Sequence, residues 1–329
     1  MLQVAQERDG NFDFPACPQS WFHVCAVEDL RRGPVGVNLP QGASFVAYRT
    51  DKGKIVVASA RCCHAGSNLA EGSVVGENIR CPLHGWEFGP NGICRNIPTG
   101  DEIPVWARQR IYPAEEIGGH VFFFNRPKAN FPLPFYEGVD PAILIAAEPF
   151  ELVVEAPWYI ASSNGFDLQH FRFSHDRKLV GEPVISSPAE YARRIVADFD
   201  VVGHSWRDQL TRAFSGPRVK MEVTDWCGNF ILVRARFRRT TSYGLMTSRP
   251  LENNRTLARV IVFVERSGWS LLDRINAAIR RDFIRAFLRP DVERTAGLVY
   301  HRKRFIESDR TLCDYLDWLE GIHKKGNGS

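Results

Sequence analysis

Two stretches of this sequence gather residues able to bind metal. In "RCCHAGSNLAEGSVVGENIRCPLHGWEF" (61–88), Cys62 and His64 form C-x-H, and sixteen residues later Cys81 and His84 form C-x-x-H. Two Cys/His pairs on two loops suit a zinc ion, or a [2Fe–2S] cluster in which two histidines hold one iron. Cys62 and Cys63 are adjacent, and either thiol could face the metal. In "SSNGFDLQHFRFSHDRKL" (162–179), Asn164, Asp167 and His170 recur at every third residue, with His175 five further on. The first three share a face if the stretch is helical. A five-residue helical step turns about 140°, so the two imidazoles converge only if the helix ends or bulges between them. Asp167 and His170 would equally suit a solvated helix face, with Asp176 and Arg177 reaching water. Two histidines plus one carboxylate make the facial triad of non-haem iron, which leaves positions open for O₂.

The elements that must position these groups change character along the chain. Residues 22–125 read as short strands between turns. "ASFVAYRT" (43–50) and "KIVVASA" (54–60) flank the hairpin turn "DKG", and "GHVFFFN" (119–125) closes the region. "RPKANFPLPFYEGVDP" (126–141) carries four prolines and no periodicity, as a linker would. "KMEVTDW" (220–226), "NFILVRARF" (229–237) and "TLARVIVFVER" (256–266) are longer alternating strands, one face packed and one wet. From residue 268 the period is helical, with Leu271, Ile275, Ile279, Phe283 and Phe287 on one stripe. The closing "KKGNGS" has the composition of a disordered tail. The domains expected are an N-terminal extension (1–21), a β domain (22–125), a linker (126–141) and an α+β domain with C-terminal helices (142–329).

Composition excludes several classes of function. A net charge of +4 on 329 residues, with no basic, aromatic-interleaved run, argues against nucleic-acid binding. The longest apolar runs, such as 120–124 and 142–147, are too short for a transmembrane segment, and "MLQVAQERDGNFDF" lacks the pattern of a signal peptide. A cytoplasmic protein is expected. Its eight cysteines are then not a disulfide framework, and Cys17, Cys25, Cys227 and Cys313 read as buried or incidental thiols.

Over about 22–125, "CPLHGWEF…GIC…IP" closely resembles the Rieske domain of ring-hydroxylating oxygenases. The later N-x-x-D-x-x-H-x-x-x-x-H resembles that family's mononuclear-iron motif, every spacing intact. The resemblance implies an all-β Rieske [2Fe–2S] domain followed by a helix-grip (START-like) catalytic domain. It implies Cys62, His64, Cys81 and His84 as cluster ligands, with Cys63 a bystander between ligand positions. It implies a mononuclear Fe(II) on His170, His175 and a carboxylate from a C-terminal helix. "RAFLRPDVERTAGLVYHRKR" (285–304) places Asp291 there, with Glu293 and Asp282 as rivals and Pro290 in the first helical turn. Asn164 and Asp167 are the motif's remaining polar members. By the resemblance, Asp167 hydrogen-bonds a ligating histidine and the second Rieske histidine of a neighbouring subunit, in a head-to-tail α₃ homotrimer.

Respiratory-chain Rieske proteins differ in ways that lower the potential expected here. Their inter-loop disulfide is replaced by Ser67 and Leu83, and their sulfur-bonding hydroxyls by Trp86 and Phe88. The chemistry implied is terminal oxygenation. Electrons from NAD(P)H arrive through a separate reductase or ferredoxin, and O₂ hydroxylates, demethylates or desaturates a small apolar molecule, sterol- or terpenoid-like or aromatic. Phe230, Leu232, Val260 and Val262 are candidates for the pocket wall or for plain core, and no basic residue stands out as a carboxylate clamp. Arg280, Arg281, Arg285, Arg302, Lys303 and Arg304 form either a docking surface for an acidic donor or a solvated helix face. The competing expectations are a Rieske carrier fused to a lipid-binding module and a zinc-stabilised binding protein.

Overall fold

Mainly apolar runs such as "HVFFF" need sheet partners on both sides, and they find them. The computed structural model describes residues 11–326. His120–Phe124 is the central strand of a three-stranded sheet, paired with Trp21–Ala26 and Ala114–Ile117, and all five of its residues are buried. A four-stranded sheet holds the hairpin Ser44–Arg49/Ile55–Ser59. Its turn uses Gly53 at φ 85°, whose amide donates to Thr50 O at 2.8 Å. A second four-stranded sheet runs from Ser73 to Asn96. These sheets belong to one compact unit, Gln19–Pro134, and the residues on either side of it form the other.

The proline-rich 126–141 stretch is packed rather than bare. Phe131 and Leu133 are buried in the first unit, and Phe131 O accepts Trp21 Nε1–H at 3.0 Å. Tyr136 is buried in the second, its ring 5.0 Å from that of Tyr243.

The second unit is built on an eight-stranded antiparallel sheet: β1 (Leu144–Ala146), β2 (Phe150–Val154), β3 (Arg177–Ala189), β4 (Ala192–Val201), β5 (Arg218–Trp226), β6 (Phe230–Phe237), β7 (Thr241–Pro250) and β8 (Thr256–Glu265). The order is β1-β8-β7-β6-β5-β4-β3, with β2 also pairing with β8. The alternating runs of the sequence are β5, β6 and β8. Strand β3 hid its character because it is an edge strand, largely exposed, with Gly181, Pro183 and Pro188 tolerated where one side needs no partner.

Three helices matter for the site: α1 (Leu168–His175), α2 (Ser270–Arg294) and α3 (Arg310–Gly326). Helix α2 lays Ala277, Ile284 and Leu288 on Val260, Val262 and Val264 of β8. The stripe expected from Leu271 to Phe287 is not its packed face. Leu271 and Ile275 are exposed, while Ile279, itself half exposed, Phe283 and Phe287 line a cavity. Pro290 lies inside α2 near its C-terminal end, not in a first turn, because the helix starts twenty residues earlier at Ser270.

Helix α3 buries Leu312, Tyr315, Leu316 and Leu319. It runs on through Lys324–Gly326, which composition assigned to a disordered tail; Asn327–Ser329 lie outside the described residues. The start of the described chain docks on it, Asp13 N–H donating to Glu320 Oε1 at 2.7 Å. Beneath α3, Asp225 Oδ2 accepts Gly228 N–H at 2.8 Å and Tyr315 O–H at 3.0 Å. Burial pushes its carboxyl up to about 7. Among the described residues no helix is long and apolar enough to cross a membrane.

Candidate metal centres

The Cys/His loops of the first unit share one hydrogen-bond plan. Cys62 N–H donates to Ser67 O and Gly66 N–H to Cys62 O, both at 2.8 Å. Likewise Cys81 N–H donates to Trp86 O at 2.8 Å and Gly85 N–H to Cys81 O at 3.1 Å. Each turn closes on a glycine with positive φ, Gly66 at 75° and Gly85 at 71°. Gln109 clamps the first loop, accepting Cys63 N–H at 2.9 Å while donating to Ser59 O and Arg61 O.

The cysteine and histidine halves of this centre differ in exposure. Cys62 and Cys81 are buried, 4% and 3% exposed, while His64 and His84 are exposed. The imidazole rings lie 4.8 Å apart between centroids, and His64 stacks flat on Trp86 at 4.2 Å. Burial, reinforced by the neighbouring Cys81 thiol, pushes Cys62 up to about 12. Two buried thiols facing each other beside two solvent-side imidazoles fit a cluster with one sulfur-held and one histidine-held iron. Cys63 is half-buried and turned towards the Arg108 backbone and Cys94. Leu83 is 58% exposed and Ser67 contributes its backbone, so the loops carry no disulfide.

In the second unit the iron-motif residues do not share one helical face. Ile160–Ser163 is a short α turn, Asn164–Phe166 a 3₁₀ turn, and Asp167 is extended. Asp167 is the N-cap of α1, Oδ1 accepting the backbone N–H of His170 at 2.9 Å. Helix α1 contains both histidines and widens between them as it ends. Their convergence comes from a wide last turn, closed by Asp176 N–H on Phe171 O with Asp176 left-handed at φ 52°. Arg177 does not reach water: it is buried and paired with Asp208 Oδ1 at 2.8 Å.

The two Nε2 atoms of His170 and His175 stand 3.0 Å apart, and Asp291 Oδ1 lies 3.1 Å from each. Ligand atoms about 2.1 Å from one ion and mutually perpendicular would be separated by about 3 Å. Asp291 Oδ1 is buried and accepts no well-formed hydrogen bond. Burial opposes its charge, but the two imidazoles outweigh this and hold the carboxyl below the usual range. Burial pushes His175 down, against the pull of Asp291. Neutral imidazole beside carboxylate is the protonation state that a divalent metal binds. Glu293 is exposed near Arg289 and Asp282 is exposed beside Arg281, so neither enters the triad.

Supports of the triad went unnoticed in the sequence because they come from distant segments. Phe287 stacks on His175 with centroids 3.9 Å apart. Arg177 donates to His175 O at 2.8 Å and lies over Phe287. Asp208, which locks Arg177, has no local signal at all.

The triad and Asn164, which is buried, line a cavity of about 480 Å³ between α1, α2 and the sheet. Gly165 lets the chain approach β5, since a Cβ there would meet Val223 Cγ1 at 2.9 Å. The wall is mainly apolar, with Val219, Met221, Ile231, Val233 and Met246 among its residues. Val260 contributes, whereas Phe230, Leu232 and Val262 do not. Residues 231, 233, 235 and 237 of β6 face the cavity, so 230 and 232 point to the other side.

The profile described as the Rieske [2Fe–2S] domain matches residues 20–107. That part of the chain is a Rieske [2Fe–2S] domain. Over 200 residues it is 31% identical to cholesterol 7-desaturase of Xenopus laevis, a match covering 59% of this chain and 43% of that protein. Over 114 residues it is 40% identical to a probable 3-ketosteroid-9-alpha-monooxygenase oxygenase component of Rhodococcus rhodochrous, covering 35% and 29%. The chain thus spans less than half the length of these curated relatives. NdmA of Pseudomonas putida CBB5 shares the fold with a TM-score of 0.69 at 20% identity, over 93% of this chain and 92% of that one. Dicamba monooxygenase bound to dicamba does so with a TM-score of 0.71 at 16% identity, over 94% and 98%.

Proposed function

We propose that the chain is the terminal component of an oxygenase system, taking electrons from a separate reductase or ferredoxin fed by NAD(P)H. With O₂ it hydroxylates, demethylates or desaturates a largely apolar organic molecule, sterol- or terpenoid-like or aromatic. The observation that carries this reading is the convergence of His170, His175 and Asp291 on the wall of an apolar cavity. When bound, the mononuclear iron supplies O₂ activation at open coordination positions and the cluster supplies electrons.

The chain's own residues do the rest. His170, His175 and Asp291 would hold the mononuclear iron, and Cys62, Cys81, His64 and His84 the cluster. Phe287 and the Arg177–Asp208 pair fix the plane of His175. The apolar wall excludes water, and Asn164 offers an amide inside it. Assembly is a head-to-tail homotrimer, with Asp167 reaching His84 of the partner subunit; the exposure of His84 supports this. The setting is cytoplasmic, in keeping with Cys63, Cys94, Cys227 and Cys313 standing in no disulfide.

Metal analysis with visible absorption tests the reading. About three irons per chain and a red-brown colour support it. Two irons would leave an electron carrier fused to a lipid-binding module, and zinc alone a binding protein. Turnover with a surrogate reductase under ¹⁸O₂ then identifies product by mass. Asp167→Asn should leave both metals bound, since asparagine also caps a helix, while nearly abolishing product. Normal turnover in that variant would remove the bridging role.

A further inference from the structure

Helix α2 brings a second polar group to the cavity. Arg280, with Asn276 and Ser242, lines it eleven residues before Asp291. Eleven helical steps come within about 20° of three full turns and rise about 16 Å. Arg280 and Asp291 therefore occupy the same face of α2 at opposite ends of the cavity. Between them the lining is apolar, with Phe283, Ile284, Phe287 and Leu288 on the helix. Exposure rises towards Arg280: Ile279 is 53% exposed, whereas His175 is 8%. The triad is the floor and Arg280 stands at the mouth.

The guanidinium is fixed by neutral acceptors only. Its Nε donates to Asn276 Oδ1 at 3.1 Å, Nη1 to Ser242 Oγ and towards Thr241 O, and Nη2 to Thr240 Oγ1. No carboxylate forms an ion pair with it among the described residues; Glu265 acts on it only through space and is itself bound by Tyr243 O–H at 2.8 Å, in contrast to Asp208, which pairs directly with Arg177. A half-buried cation with its side-chain entropy already spent and no directly paired carboxylate is preorganised for an anion. The sequence had placed Arg280 with the basic surface and offered no carboxylate clamp; the fold turns it into the cavity.

We propose that Arg280 recognises a carboxylate at one end of an elongated apolar substrate, so that the opposite end of the molecule lies at the triad and is the part oxidised. The assignment of the oxidised end rests on the oxygenase reading above, whereas the carboxylate pairing depends on the cavity alone and needs no iron.

Isothermal titration of the full chain with decanoate and with decan-1-ol, matched in chain length, tests the pairing directly. Decanoate should bind about tenfold more tightly than decanol. Arg280→Gln should erase that preference and leave decanol affinity unchanged, and Arg280→Lys should retain part of it. Val233→Trp, which puts bulk into the cavity from β6, should weaken both probes. Equal affinities, no binding of decanoate, a preference surviving in Arg280→Gln, or a parallel loss of both probes in that variant would each overturn the proposal. Failure of the oxygenase reading would show instead as missing iron or product, with the binding preference intact.

Discussion

The two proposed metal centres are built on opposite plans. All four donors of the first lie within residues 62–84, on loops whose hydrogen bonds are internal or reach one clamp, Gln109. The second joins α1 to the far end of α2, and its donors meet only when both helices are docked on the sheet. The first centre buries its sulfurs and exposes its imidazoles; the second places all three donors at the floor of a cavity. Local construction makes a site that forms with its own small sheet. Distant construction makes a site whose geometry depends on the stability of a whole unit.

The sharpest way to break the contrast is to remove one donor from each. Asp291→Ala should empty the second centre and cut product formation by about two orders of magnitude or more, with the visible spectrum unchanged. Cys62→Ser should do the reverse, bleaching the spectrum while leaving the mononuclear site able to bind iron. If either loss emptied both centres, their independence would be refuted.

A subtler probe addresses what holds the second site in shape. Asp208→Ala leaves the buried Arg177 without its partner, which should cost about 3 kcal/mol in denaturant unfolding. Affinity for mononuclear iron should fall roughly tenfold, with cluster content untouched. Equal iron affinity in the variant would mean that Phe287 alone orients His175.

Asp225 offers a pH test of the same unit. Its folded carboxyl sits at about 7, above its unfolded value of 3.8. The folded state therefore holds the proton more tightly. Its contribution is complete below about pH 4 and is lost as pH rises through 7, on the order of a few kcal/mol. Asp225→Asn should flatten that slope in urea melts across this window while keeping acceptors for Gly228 and Tyr315. A slope unchanged in the variant would place the titration elsewhere. The smallest effect is expected from Cys63→Ser, which should leave cluster absorption as it is; bleaching would make Cys63 a ligand.

Legibility in the sequence follows the same division. The spacing of Cys62, His64, Cys81 and His84 survives folding as spacing, because loops keep near neighbours near. The pairing of His170 with His175 was harder, since their approach depends on a cap, Asp176 in a left-handed conformation, that spacing does not encode. Asp291 was reached through resemblance, not geometry. Phe287, Arg177 and Asp208 stayed hidden, because tertiary packing chooses which aromatic or ion pair supports a ligand. The face of β6 stayed open, as period-two alternation gives two faces without saying which one meets the cavity; Phe230 and Leu232 are core.

The matched loops of the first unit have a consequence in terms of symmetry. Their backbones are related as if by a local twofold, Cys62 to Ser67 on one side and Cys81 to Trp86 on the other. The histidines break it, falling two residues after one cysteine and three after the other. The twofold therefore cannot exchange the two imidazoles. His64 lies flat against Trp86, whereas His84 meets His64 at 61°. A centre with nearly equivalent strands thus acquires a front and a back, and an outside hydrogen-bond acceptor can meet His84 edge-on without displacing an aromatic ring.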